Sequence, residues 1–326
     1  MSELSDRLLI LENAAVQPGP SQFKTAAAPG MPSGFMVGIS QDRAHHLLIP
    51  IGSRRLVPDR RSRHLVLEEQ ELTMPDGRVQ RHADLRCDDP ELFGVFGYVL
   101  DDLAARLGQA GHVDAVQTCR EVLSDWRELT AGGNPGPGRE TEMGLFGELS
   151  VLSRLGARDP FSALATWKGP DGASWDFSSN GRAIEVKTTA TVSGSTVKVS
   201  NIEQLDPAGL DRLDLVVVHV REDEVGESVD ELIDRLVAAG FNPRALLMQV
   251  AKVGHTYGHA GRRGYVTIGL RKWRVSQDFP SLRRADIPAS KAHALLKITY
   301  TLALPSGSVD LDEPGSVRWL ERWVDA

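Results

Sequence analysis

The sequence predicts a two-domain α/β protein, α+β overall, with a β-rich N-terminal domain and a C-terminal mixed sheet flanked by helices. Three observations carry this. Residues 131–139, AGGNPGPGR, concentrate Gly and Pro at a density that neither helix nor strand tolerates, so they read as a linker between domains at 1–130 and 140–326. Before the linker, strand-like runs follow one another and two helical segments close the series. After it, strands, helices and strands alternate as in a mixed sheet with helices on its faces, and LDLVVVHV at 213–220 is apolar enough for a sheet interior. At 326 residues the chain can bury a core in each domain.

In chain order, residues 14–34 are rich in Ala, Pro, Gly and Ser and read as irregular. Strand-like runs follow at 35–40, 45–51, 64–72 and 81–87, the last two separated by the turn signal MPDGRV. DDPELFGVFGYVLDDLAARL reads as a helix with Asp caps and Pro in its first turn. A second helix covers about 112–130. Beyond the linker come a helix over 142–156, a hairpin at 175–187 and strands at 195–201 and 213–220. Helices at 228–239 and 243–252, strands at 264–272 and 295–304, and a terminal amphipathic SVRWLERWV complete the chain. No internal repeat or low-complexity tract interrupts this order.

The charged and apolar fractions are those of an ordinary globular protein, and a formal charge of −7 argues against indiscriminate nucleic-acid binding. Cys87 and Cys119 lack metal-binding spacing and read as reduced core thiols. MSELSDRLLILENA has no basic n-region or long apolar run, so it does not read as a signal peptide. No segment approaches the length of a membrane span. The expectation is a cytoplasmic protein with no membrane partner.

WDFSSNGRAIEVK, residues 175–187, is the most informative stretch. Asn180-Gly181 between two apolar runs signals a two-residue type I′ turn. That turn pairs Ser179 with Arg182, Ser178 with Ala183, Phe177 with Ile184 and Asp176 with Glu185. Two carboxylates then face each other with Cβ atoms about 4.5–5.5 Å apart, an arrangement that destabilises a sheet. A divalent cation between them converts the repulsion into binding, and oxygen ligands favour Mg²⁺. Lys187 lies on the face of Glu185, while Ile184 and Val186 point the other way into a core. Two acids and a lysine on one face suit phosphodiester hydrolysis: the metal polarises a phosphoryl oxygen and acidifies a water, and the ammonium holds that water or offsets transition-state charge. The plainer alternative is a solvated hairpin face in which Lys187 neutralises both acids.

EMGLFGELSVLSRLG, residues 142–156, supplies support. At 100° per residue Leu145, Leu149, Val151, Leu152 and Leu155 form one apolar arc, and Glu148 falls inside it. A glutamate there needs a partner, because an unpaired buried charge is very costly. Gly144 and Gly147 lie beside it and leave room for close backbone approach. The alternative is a Glu at the stripe's edge, reaching water or pairing with Arg154.

A helix carrying a Glu (FGELSVL), then Asp (WDF), then Glu-x-Lys (IEVKTT) on adjacent strands resembles the PD-(D/E)XK nuclease superfamily. Most nearly it is similar to PD-(D/E)XK proteins encoded in bacterial restriction-modification and phage-defence operons. The resemblance is sharpest over residues 140–220. It implies a restriction-endonuclease-like domain with Glu148, Asp176 and Glu185 around Mg²⁺ or Mn²⁺, the Val186 carbonyl as a further ligand, and Lys187 beside the scissile phosphate. Thr188 and Thr189, just past the lysine, are candidates to touch phosphate, and Gln204 or Glu203 to reach the metal face. Trp175 stands where the family's proline usually precedes the aspartate. The substrate expected is DNA, cut by a Mg-dependent endonuclease of a restriction or antiviral defence system. Other subunits of a defence complex and a second copy of the chain are the further partners considered. A non-catalytic DNA-binding or scaffold subunit with a nuclease fold is the competing reading, and an RNA-directed nuclease is a third, since no aromatic-basic stacking strip separates RNA from DNA in the sequence.

Three basic clusters could meet phosphate. Arg54, Arg55, Arg60, Arg61 and Arg63 stand beside His64; Arg262 and Arg263 follow a loop with His255 and His259; Arg271, Lys272 and Arg274 lie in a strand-like run. The first two clusters are the DNA-binding candidates. His255 and His259 have a zinc-like spacing only on a helix, which the intervening glycines disfavour.

Overall fold

In a computed structural model the described residues are 3–14, 23–62, 64–74, 76–109, 114–127, 129, 137–190, 196–258, 263–292, 294–313, 319–320 and 323. Arg63, His259, Arg262, most of the 131–139 linker and most of the terminal helix lie outside them. The chain forms two compact units, Met1–Pro135 with Thr256–Ala260, and Gly136–His255 with Gly261–Ala326. No helix among the described residues is long and apolar enough to cross a membrane.

The first unit begins with α1 (Glu3–Asn13), which the sequence reading did not anticipate. Its strands are β1 (Phe23–Ala27), β2 (Met36–Ser40), β3 (His45–Pro50), β4 (Leu65–Thr73) and β5 (Val79–Cys87). They form an antiparallel sheet in the order β1-β2-β3-β5-β4. Strand β1 corrects the expectation of an irregular 14–34. FKTAA shows no clear alternation, yet it pairs along β2 from Phe23↔Ser40 to Ala27↔Met36. Lys24 closes the preceding helix by donating to the carbonyls of Leu11 and Ala14. Val37, Leu47, Leu48, Ile49, Leu67 and Leu85 fill the core.

Helices α2 (Phe93–Gln109) and α3 (Ala115–Trp126) close this unit, as expected. Asp102 joins them: it accepts from Arg106 and from the buried indole of Trp126, each at 2.9 Å. The segment Thr256–Ala260 folds here, with Tyr257 edge-on to Tyr98.

The second unit comprises α4 (Arg139–Leu155), α5 (Pro160–Thr166), β6 (Phe177–Ser179), β7 (Arg182–Thr189), β8 (Thr196–Val199), β9 (Arg212–Glu227), α6 (Val229–Ala238), α7 (Pro243–Lys252), β10 (Tyr265–Arg274), α8 (Ala289–Ala292), β11 (Tyr300–Ala303) and β12 (Val309–Asp310). Its main sheet is mixed, in the order β12-β10-β9-β7-β6. Strand β7 runs parallel to β9 and the other pairs are antiparallel. The apolar run of β9 lies at the centre, with Leu213 to Val218 buried. Strand β9 runs on to Glu227, beyond the expected 220, and its antiparallel pairing with β10 reaches Glu222.

The strand expected at 195–201 forms, but outside the main sheet: β8 pairs with β11 as a two-stranded ribbon. The ribbon and the short helical turn Ile202–Leu205 contribute Val197, Val199, Leu205 and Leu302 to one core with Ala183, Leu213, Leu215 and Val217 of the main sheet. The face of β7 that carries Ala183, Glu185 and Lys187 is therefore covered. The opposite face, with Ile184 and Val186, is also buried. Caps fix the helices on the sheet: Ser228 and Glu231 form a capping box on α6, and Asn242 caps α7 ahead of its first-turn proline.

Candidate active site

The hairpin forms in the predicted register from Phe177 to Ile184, but the ladder stops short of the expected pairing of Asp176 with Glu185. Phe177 pairs with Ile184, Ser178 with Ala183 and Ser179 with Arg182. Asn180 and Gly181 take φ of 48° and 73°, the left-handed pair that a type I′ turn demands. Asp176 ends just before the ladder, and its Oδ2 accepts from the Val186 N–H at 2.6 Å. Its carbonyl accepts from the N–H groups of Lys168 and Gly169, which fold the 167–172 turn against it.

Glu185 is 1% exposed in the middle of β7. Its Oε1 accepts from the Lys187 ammonium at 2.6 Å, and its Oε2 is buried with no hydrogen-bond partner. Lys187 also donates to Gln204 Oε1 at 3.1 Å. That oxygen is fixed by the backbone N–H groups of Ser200 and Asn201. Gln204 thus reaches the lysine rather than an acid.

Glu148 arrives from α4, half-buried, and Arg154 does not hold it, since Arg154 pairs with Asp312. Its Oε2 accepts from the indole N–H of Trp167 at 2.7 Å, and Trp167 is fully buried. A β-carbon built at Gly169 would lie 2.8 Å from Glu148 Oε2 and 2.9 Å from Asp176 Oδ1, so the two acids converge on the one residue without a side chain. Gly147 explains the bare stretch of α4, since a β-carbon there would collide with Thr188 of β7. Thr188 accordingly faces the helix, with its hydroxyl buried and unpartnered. Gly144 borders open space, and nothing in the structure explains it.

The electrostatics follow from this packing. Burial raises Glu148 well above the carboxylate range, and the charge of Asp176 adds to the effect. Burial brings Asp176 to about 6 against the pull of the Val186 N–H and Lys187. Glu185 is raised well above its ordinary value by burial and then by Asp176, with Lys187 opposing. Asp176 raises both Glu148 and Glu185, so the three acids form one electrostatic unit.

Among the described residues, no group of three or more His, Cys, Asp or Glu side chains is arranged to hold a metal ion as it stands. Each acid commits one oxygen to a protein donor, Trp167, the Val186 N–H or Lys187. The donor set nevertheless fits a hard divalent cation, with three coupled carboxylates and an orphaned oxygen on Glu185.

A family model described as "Putative PD-(D/E)XK family member" matches residues 11–305. The chain belongs to this family. The match spans both units, so the PD-(D/E)XK assignment extends beyond the hairpin region where the resemblance is sharpest. No curated protein and no solved structure matches the chain.

Of the other PD-(D/E)XK site candidates, Arg54 pairs with Asp114, Arg60 with Glu68 and Arg61 with Asp59 in the first unit, each arginine still more than half exposed. Arg55 lies near Glu69. In the second unit Arg263 pairs with Glu142 in the first turn of α4. His255 pairs with the buried Asp230 at 2.7 Å. Trp167 and Gly169 were not foreseen. WKGPDG reads only as a turn, and no local pattern announces that its tryptophan anchors Glu148.

Proposed function

We propose that this PD-(D/E)XK protein is a metal-dependent endonuclease that hydrolyses DNA phosphodiester bonds, acting in restriction or phage defence. The observation that carries the reading is the convergence of Glu148 from α4, Asp176 from the residue before β6 and Glu185 from β7, with Lys187 bonded to one of them. Repulsion that lifts neighbouring acids above their ordinary range is an expensive arrangement for a purely structural role.

Glu148, Asp176, Glu185 and the Val186 carbonyl would hold Mg²⁺ or Mn²⁺. The N–H and C=O of a strand residue point to the same edge, and the Val186 N–H points at Asp176. When bound, the ion supplies Lewis acidity at the phosphoryl oxygen and a more acidic water. Lys187, held between Glu185 and Gln204, donates to the attacking water and offsets the negative charge that grows on the phosphorane-like transition state. Trp167 fixes Glu148, and the Asp176–Val186 bond fixes the edge of β7. Glu185 is enclosed, which strengthens its bond to Lys187.

Incubation of the purified chain with supercoiled and linear DNA tests this. Nicking or cutting should appear with Mg²⁺ or Mn²⁺, vanish with EDTA and be absent from Lys187→Met. A chain that binds DNA and cuts it with neither ion overturns the enzyme reading in favour of a scaffold subunit.

A further inference from the structure

A cavity of about 700 Å³ opens beside the catalytic lysine. Gln204, whose side-chain oxygen accepts from Lys187, forms part of its wall, and Ser174, two residues before Asp176, forms another part. The opposite wall is Leu295 to Ile298, with Leu296 almost wholly exposed and Leu295 about half exposed. Arg284 stands at the margin, 3.5 Å from Glu203, and both are well exposed. Lys297 adds a second cation to the lining.

We propose that this cavity holds an unpaired nucleotide of the DNA strand adjoining the scissile phosphate. The inference rests on the nuclease reading for its position relative to cleavage. The chemistry of the walls supports it directly. An apolar ridge that water would otherwise cover can take a base face. A guanidinium in a weak, exposed ion pair can exchange Glu203 for a phosphate at little cost. The volume falls in the range of small-molecule sites and accommodates a nucleotide. A base still paired and stacked in a duplex cannot enter a concave pocket without leaving the stack. Among the described residues the lining contains no aromatic ring, so a long single strand gains no stacking platform there of the kind that drives sequence-tolerant binding. The preferred substrate is therefore a duplex with a local unpaired nucleotide, such as a bulge, fray or flap.

Binding and cutting are read separately. In EDTA, where no metal-dependent cutting occurs, the full chain is titrated with three fluorescent DNAs of one sequence: fully paired, carrying one unpaired nucleotide, and single-stranded. The duplex with the unpaired nucleotide should bind at least tenfold more tightly than the paired one. 2-Aminopurine at the unpaired position should change its emission on binding. Arg284→Gln and the uncharged pair Leu295→Ser with Leu296→Ser should each reduce that preference at least fivefold. All three positions are exposed enough for melting temperatures to stay near wild type. Equal affinity for paired and unpaired DNA, or variants that keep the full preference, would overturn the pocket assignment. With Mg²⁺ added, a chain that shows the preference but never cuts refutes the nuclease reading and leaves the pocket standing. A chain that cuts fully paired DNA equally well in wild type and variants does the reverse.

Discussion

The indole N–H of Trp167 donates to Glu148 Oε2 at 2.7 Å, and the tryptophan is wholly enclosed. A carboxylate inside the apolar arc of α4 is thereby held by a rigid ring on a different segment. Trp167→Phe keeps most of the apolar volume and deletes the donor. Loss of one hydrogen bond to a charged group together with a small cavity should cost about 1–3 kcal/mol, measurable by chemical denaturation. Calorimetry should also show weaker Mn²⁺ binding, because Glu148 loses its fixed orientation. Unchanged ion affinity in a folded variant would separate Glu148 from the metal set.

In the proposed mechanism Lys187 has two roles that one substitution confounds. Its ammonium compensates the buried Glu185, and it would act on substrate. Lys187→Met should abolish cutting with DNA affinity retained. It should also destabilise the protein by roughly 1–3 kcal/mol, below the cost of breaking a fully buried pair because Glu185 can take up a proton. Adding Glu185→Gln should restore most of the stability and none of the activity. Recovery of cutting in the double variant would remove Lys187 from the mechanism.

What could be read in the sequence depended on whether the signal was local. Asn180-Gly181 sets its own turn, so the register through Phe177 and Ile184 followed from two residues. The apolar arc of α4 and the run in β9 announced themselves by period and length. The ribbon of β8 with β11 did not, since its partners are about 100 residues apart and each strand is four residues long. Strand β1 was hidden because FKTAA derives its structure from β2 rather than from its own propensity. At the site, Glu148, Asp176, Glu185 and Lys187 were legible as residue types at spacings. The donors that hold them, Trp167 and the Val186 N–H, depend on tertiary placement alone.

Asp176→Asn offers a test of the acid cluster in metal-free protein. Asn can still accept from the Val186 N–H, so the geometry of β7 is kept. Burial holds Asp176 at about 6, against an ordinary 3.8. The folded state therefore binds more protons than the unfolded state between these values, and the stability tied to this proton is lost as pH rises through about 6. A shift of that size corresponds to at most roughly 3 kcal/mol. In EDTA at pH 8, Asp176→Asn should melt higher than wild type and show a flatter pH profile between 4 and 7. With Mn²⁺ added the order should invert, because only the wild type gains from the ion. A variant that melts lower than wild type without metal would mean that Asp176 is not repelled by its neighbours.

The arginine stretch after β3 tests how DNA is held. Arg54, Arg60 and Arg61 already have carboxylate partners, and Arg61 pulls Asp59 down to about 2. The Arg54 and Arg60 pairs are exposed and contribute no more than about 1 kcal/mol each, so phosphates can displace their carboxylates where the duplex comes close, while Arg61 faces the buried Asp59 and exchanges less readily. Each arginine that makes the exchange should add about 0.9 to the slope of log affinity against log salt on duplex DNA. Replacing Arg60 and Arg61 with Gln should lower that slope by up to twice this amount and weaken binding alike for unrelated sequences, since backbone contacts carry no base information. NMR titration of Asp59 supplies an internal control: its carboxyl should return toward the ordinary range once Arg61 is gone. If Asp59 responds but the binding isotherms superimpose across the salt series, these arginines serve the fold of the first unit, and phosphate contacts must come from elsewhere on the chain.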